Sequence, residues 1–203
     1  YTQLQINAQA ASSAMELYEA FGETEYLSRG VSFARILMAC QASAVDPSFS
    51  IPLRGYFYEN ETHERIQTYY HRSYEHAPIK AFAMLYRLTP EHEDAARWKN
   101  SLELYREYVA LTSRTVPYGL LPNGIYELDN TDFSTITHEG ARAAGAPSLE
   151  EYNAQVRNGI RLNDRFYLRV FPVAYQFRGF HATLMGRALA AMELARALND
   201  REI

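Results

Sequence analysis

The sequence predicts an all-α fold assembled from αα-hairpins, and two observations carry that prediction. An apolar helix, a tight polar turn and an amphipathic return helix follow one another over residues 15–33. The same block recurs at 83–109, and a third begins at 191–200 but stops at Ile203, where its return helix is due. Hairpins of this kind cannot bury their apolar faces alone, so they stack into solenoids or close into rings. The chain is therefore expected to be one domain over residues 1–203 and a piece of a larger ring, with part of any active site on further residues of the same polypeptide.

Each element has its own warrant. Leu4, Ala8, Ala11, Met15 and Tyr18 recur at helical spacing and predict a first helix over about residues 2–21, stopped by Gly22. Thr24 is read as the cap of a second helix through about Ala44, with Leu27, Val31, Ala34, Leu37 and Met38 facing inward. Asp46-Pro47 breaks it. Residues 53–58 and 66–70 are rich in β-formers around the polar turn 59–63, and predict a small inserted β-hairpin. Pro78 suits the first turn of a third helix that ends near Leu88. Pro90 is read as opening a fourth, through about Ser113, with Ala95, Trp98, Leu102, Tyr105 and Val109 as its apolar stripe.

Residues 115–177 form a long excursion between hairpins. Within it, 125–128 read as a short extended segment, Ser148 caps a short helix through Asn158, and 165–173 alternate like a strand. A connection this long commonly carries a binding site or a lid. The fifth helix starts near Arg178-Gly179.

Bulk composition excludes several function classes. Of 203 residues, 47% are hydrophobic and 22% charged, which fits a folded chain with a sizeable core. A net charge of -4 offers no electrostatic footprint for nucleic acid. No stretch approaches the roughly 20 apolar residues of a membrane span, and Tyr1-Thr2-Gln3-Leu4 reads directly as helix rather than as a leader. Cys40, the single cysteine, lies in an apolar run and is read as a core residue, which leaves no disulfide. Sixteen Tyr, ten Phe and one Trp exceed what a plain bundle requires. Flat rings with a polar handle suit a wet cleft that stacks on sugars, although many must simply pack between helices.

Residues 71–76 (His71, Arg72, Ser73, Tyr74, Glu75, His76) form the densest polar-aromatic cluster, at or before the start of the third helix. Free N–H groups and the positive helix end favour hydroxyl and carboxylate binding there. In one reading His71, Tyr74 and His76 bind sugar hydroxyls, and Glu75 acts as acid, base or hydroxyl acceptor. In the other, Glu75 caps its helix and the histidines are satisfied rim residues. Glu75 alone is no mechanism, since glycoside hydrolysis uses two carboxyls, about 5 Å apart for retention and roughly 6.5–9.5 Å for inversion. Arg178, Gly179 and His181 open the fifth helix in an equivalent position, either clamping a ligand or pairing with a loop carboxylate. Tyr118 is a stacking candidate.

Glu127, Asp129 and Asp132 present hard oxygens suited to calcium, but EF-hand spacing is absent and they read as solvated loop acids. His63, His92 and His138 lack metal-ligand spacing and read as surface residues. No Gly-x-Ser-x-Gly motif or phosphate-cradling loop occurs. No metal or cofactor is expected.

The hairpin blocks, residues 71–76, the loop 118–126, and Phe171-Pro172 followed by Phe177-Arg178-Gly179 resemble the six-hairpin glycosidases. Within these the chain is most similar to the glycoside hydrolase family 9-like proteins of polysaccharide-degrading bacteria. The resemblance spans nearly the whole chain and implies a partial (α/α)6 toroid in a periplasmic or secreted setting. It further implies hydrolysis of a β-linked polysaccharide or oligosaccharide. The family's best-known enzymes invert, using an aspartate near the start of the catalytic domain to activate water and a glutamate near its end as the acid. No Asp-Ala-Gly-Asp-type motif occurs here, so that pair is not carried over. The alternatives are a non-catalytic carbohydrate-binding module and a helical-repeat module that binds a partner protein.

Overall fold

The apolar positions of the first two helices are spaced for mutual burial, and the structure pairs them. A computed structural model describes residues 3–67, 76–114, 124–128, 150, 154, 157, 159–169 and 177–200, with backbone alone at 169 and over 177–187. Helix α1 (Gln3–Phe21) buries Leu4, Ala8, Ala11, Ala14 and Met15, and helix α2 (Thr24–Ala39) buries Gly30, Val31, Ala34 and Leu37. Gly22 turns the chain between them at φ +72°, a left-handed conformation that costs an L side chain about 1–2 kcal/mol. A Cβ at Gly30 would lie 2.6 Å from Sδ of Met15, so glycine there lets the two helices close on each other.

Helix α3 (His76–Leu88) is buried on nearly every side, from Ala77 and Pro78 through Phe82 to Leu85. It packs against α1, α2, α4 (Ala95–Arg114) and α5 (Phe177–Leu198), and a helix apolar all round requires such surroundings. α1 and α3 run parallel. Ser12 Oγ donates to the Ala77 carbonyl at 3.1 Å, Lys80 pairs with Glu16, and Arg87 pairs with Glu19 at 2.9 Å, so the partners advance together along both helices. Residues flanking α2 and α4 tie the two together: Arg35 Nε of α2 donates to Asp94, just before α4, at 2.8 Å, and Gln41 Nε2, just past α2, donates to the Ser101 carbonyl of α4 at 3.0 Å. Two layers result, with α1, α3 and α5 side by side and α2 and α4 packed against them.

Several expected boundaries move, each for a tertiary reason. α2 ends at Ala39 rather than Ala44, because residues 40–42 leave the helix to pair with 55–58. The Ala42 N–H donates to the Tyr56 carbonyl at 2.9 Å, and the Tyr58 N–H donates to the Cys40 carbonyl at 2.8 Å. Thr24 is the first helical residue, and Glu23 takes the cap position without a side-chain hydrogen bond. α4 begins at Ala95 rather than at Pro90; the turn before it ends on Asp94, whose carbonyl accepts from Arg97 and Trp98. The inserted β-hairpin is reduced to isolated antiparallel bridges, Tyr58↔Ile66 and Gln41↔Phe57, and residues 68–70 lie outside the described part.

The all-α expectation needs one further correction. Strands β1 (Gly124–Glu127), β2 (Ile160–Arg161) and β3 (Phe166–Arg169) form an antiparallel sheet in the order β1-β3-β2, so the protein is mostly helical with a small sheet. Ile125 and Ile160 both face Leu168 in register. Asn163 makes the β2–β3 turn by accepting from the N–H groups of Arg165 and Phe166. The sheet is fastened to the loop after α2. Ser50 N–H donates to the Leu162 carbonyl at 2.7 Å, and Phe49 packs edge-on against Phe166 at 6.0 Å. The short helix expected over 148–158 lies largely outside the described residues, of which 150, 154 and 157 are helical.

Candidate functional site

Parallel packing of α1 and α3 sets the side of α1 against the first turn of α3, and a hollow of about 590 Å³ lies there. Its described lining is Gln5, Ile6, Gln9, Ala10 and Ser13 of α1 with His76 and Ala77 of α3. Gln5, Gln9 and Ser13 recur at four-residue intervals, and Ile6 with Ala10 forms an apolar row beside them, so one helix supplies both a hydrogen-bonding strip and a greasy one. Ile6 is 58% exposed. No Asp, Glu, Lys or Arg occurs among the described lining residues. The ion pair one turn further along, Lys80 with Glu16, is closed on itself.

The opening of α1 also receives the 59–65 turn. The Leu4 N–H donates to the Glu59 carbonyl at 2.9 Å, and the Glu61 N–H reaches Gln3 Oε1 at 3.4 Å. His63 sits in this turn at φ 59°, stacked on Tyr58 with centroids 4.1 Å apart and with Nε2 2.6 Å from the Ala39 carbonyl oxygen. From here an ionic network runs to the sheet. Arg65 Nε lies 3.8 Å from Glu59 Oε1 and 4.0 Å from Glu127 Oε2. Arg165 grips the other Glu127 oxygen directly.

Glu127 is thus a buried, clamped carboxylate, 5% exposed, and not the solvated loop acid that its sequence context suggests. Asp129 and Asp132 lie outside the described residues, among which no group of three or more His, Cys, Asp or Glu could hold a metal ion. Burial raises the Glu59 carboxyl above its ordinary range, and the Glu127 charge adds to that, while Arg65 opposes it. Both carboxylate oxygens lie within 4.0 Å of one nitrogen and so are no more than about 8 Å apart. That spacing would suit an acid–base pair. Both carboxylates are nevertheless occupied with arginines, and the arrangement works as a fastener between the 59–65 turn and the sheet.

The residues expected from the sequence fare unevenly. His76 is the first residue of α3 and lines the hollow. His71, Tyr74, Glu75 and Tyr118 lie outside the described residues. Arg178 and His181 fall in the opening turns of α5, whose side chains there are likewise outside the description. Of the histidines read as surface residues, His63 is exposed yet engaged as above. His92 is half-buried, stacked on Trp98 at 4.8 Å and accepting from the Asp94 N–H at 3.1 Å, and His138 is outside the described residues. Cys40 is fully buried as expected, and burial pushes its thiol up to about 12. The α1 residues escaped the sequence reading because it followed only the inward stripe of that helix. The signal available was the Gln5, Gln9, Ser13 strip on the opposite side.

No described helix is long and apolar enough to cross a membrane. Comparison with protein-family models, curated proteins and solved structures finds no match.

Proposed function

We propose that this chain is a carbohydrate-active domain that binds an oligosaccharide or polysaccharide in the hollow between α1 and the start of α3. One observation carries the reading: the described lining sets amides, a hydroxyl and an imidazole, all able to bond hydroxyls, against apolar surfaces. Amides and hydroxyls both donate and accept, as sugar hydroxyls require, while Ile6, Ala10 and Ala77 can meet the C–H face of a ring. Two layers of successive αα-hairpins support the further step that the arc belongs to an (α/α)6 toroid completed by further residues of the polypeptide. Hydrolysis of a β-linked glycan, and a periplasmic or secreted setting, extend the proposal on the resemblance to six-hairpin glycosidases. Glu75, next in sequence to His76, is the carboxylate that the hydrolase reading assigns, with His71, Tyr74, Tyr118, Arg178 and His181 as its substrate contacts.

A second reading, a carbohydrate-binding module without hydrolysis, is favoured by the engagement of Glu59 and Glu127 with Arg65 and Arg165. A glycan array followed by reducing-end assay of each bound glycan tests both. Binding with release of new reducing ends supports the hydrolase, and binding without release supports the module. Absence of binding across the array overturns the carbohydrate assignment.

A further inference from the structure

We infer that Ser12, a side chain outside the hollow, is a positioning residue for it: the Ser12 hydroxyl holds the first turn of α3, and with it His76, in place against α1. The inference rests on the carbohydrate reading above and adds the residue that fixes how far apart the two walls of the site stand. Ser12 is 4% exposed and takes no part in the described lining, although Gln9 and Ser13 on the same helix do. Its Oγ donates to the Ala77 carbonyl at 3.1 Å, across 65 positions of sequence. Ala77 lines the hollow and follows His76 directly. This is also where α3 most needs a hold. Ala77 is helical yet precedes Pro78, whose ring disfavours helical dihedrals in the residue before it. A helix end has the fewest bonds of its own, so this turn is the part of α3 most easily displaced. A shift there carries His76 and Ala77 away from Gln9 and Ser13 and alters the width of the hollow without altering its chemistry.

Stability alone does not account for a serine here. Ala8, Ala11 and Ala14 make up much of the buried stripe beside it. Alanine is the better helix former, and that advantage offsets much of the net worth of one hydrogen bond. Removing the hydroxyl would not orphan the Ala77 carbonyl either, because a helical carbonyl also accepts from the N–H four residues on, here that of Ala81. The hydroxyl is thus close to neutral for folding. What it adds is a directional tie at the mouth of the site.

A second tie between the same helices supplies the control. Arg87 pairs with Glu19 about 15 Å further along α3 than Ala77. Both of its partners are half-exposed, so Arg87→Ala also costs little stability. Titration calorimetry on the intact chain measures binding of cellotetraose, xylotetraose, mannotetraose and chitotetraose, and mass spectrometry follows amide exchange of the unliganded chain. Ser12→Ala should weaken the tightest of these ligands about fivefold, the worth of one hydrogen bond, and speed exchange in the first turn of α3. Its melting temperature should fall by no more than a few degrees. Ser12→Cys, similar in size but a weak donor, should fall between. Arg87→Ala should leave affinity within about twofold and exchange in that turn unchanged. Unchanged affinity and exchange in Ser12→Ala, or equal losses of affinity in Ser12→Ala and Arg87→Ala, would overturn this inference and leave the carbohydrate reading standing. Failure of the unaltered chain to bind any of the tetrasaccharides would remove that reading, and this inference with it.

Discussion

Replacing Gly55 with alanine should destabilise the protein far more than the same change at Gly22, although both residues have positive φ. Gly55 has φ 87° and Gly22 has φ 72°, so each variant incurs the left-handed penalty of about 1–2 kcal/mol, partly offset by about 0.4–1 kcal/mol from the stiffer unfolded chain. They differ in the space around them. At Gly22 a Cβ would meet nothing within 4 Å. At Gly55 it would lie 2.0 Å from the Leu104 carbonyl oxygen and 2.5 Å from its carbon. That obstacle is backbone in the middle of α4, which cannot rotate away as a side chain would. The Gly55 N–H also donates to the Ala42 carbonyl at 2.7 Å, and its own carbonyl accepts from Gln41 at 3.1 Å. Relief of the clash therefore pulls on the junction of α2, α4 and the 53–58 segment. Overpacking of this kind adds about 1–3 kcal/mol, giving a total near 2–4 kcal/mol for Gly55→Ala against about 1 kcal/mol for Gly22→Ala. In a chain of this length each kcal/mol moves the melting temperature by about 2–4 °C. Urea and thermal unfolding of the two variants beside the unaltered chain measure the difference. Equal losses, within about 0.5 kcal/mol, would refute the close packing of Gly55 on α4.

Asp94 should make the protein acid-sensitive. Burial pushes its carboxyl up, but hydrogen bonds and charge from Arg35 and Arg97 outweigh that and hold it below the ordinary carboxylate range. A depressed native value gives stability that is complete above the unfolded value, near pH 4, and is lost as pH falls through the native one. Asp94→Asn should therefore lower the melting temperature at pH 7 and change it much less near pH 2; an equal loss at both would contradict the Arg35–Asp94–Arg97 link. Cys40 should be inert in the folded protein, since burial pushes its thiol up to about 12. A disulfide reagent at pH 8 should label it only once denaturant is added, and prompt labelling of the native chain would contradict its buried position.

How much of this was legible in the sequence depends on what each feature needs. The inward stripes of α1, α2 and α4 were readable because burial on one side of a helix leaves a 3.6-residue period that needs no knowledge of the partner. The end of α2 was not, because Cys40, Gln41 and Ala42 leave the helix to meet residues 55–58, a pairing that nothing local announces. The strand character of 125–128 and 165–169 was readable, whereas their pairing, Glu127 opposite Phe166, joins positions far apart in the chain. The same distance hid the state of Glu127: Arg165 and Arg65 bury and neutralise it, and neither is near it in sequence. The hollow was hidden for a different reason. Which side of α1 stays open is decided by where α2 and α3 pack, so nothing local separates Gln5, Gln9 and Ser13 from an ordinary solvated strip. Of the expected site, only His76 could be placed in that hollow.

Hydrogen–deuterium exchange of the intact chain, with and without a saturating concentration of a bound oligosaccharide, bears most directly on the central claim. The account predicts slowed exchange in the first three turns of α1 and the first turn of α3, with α2 and the 159–169 sheet region unchanged. Protection confined to the sheet or to the outer helices, or none despite measured binding, would contradict it.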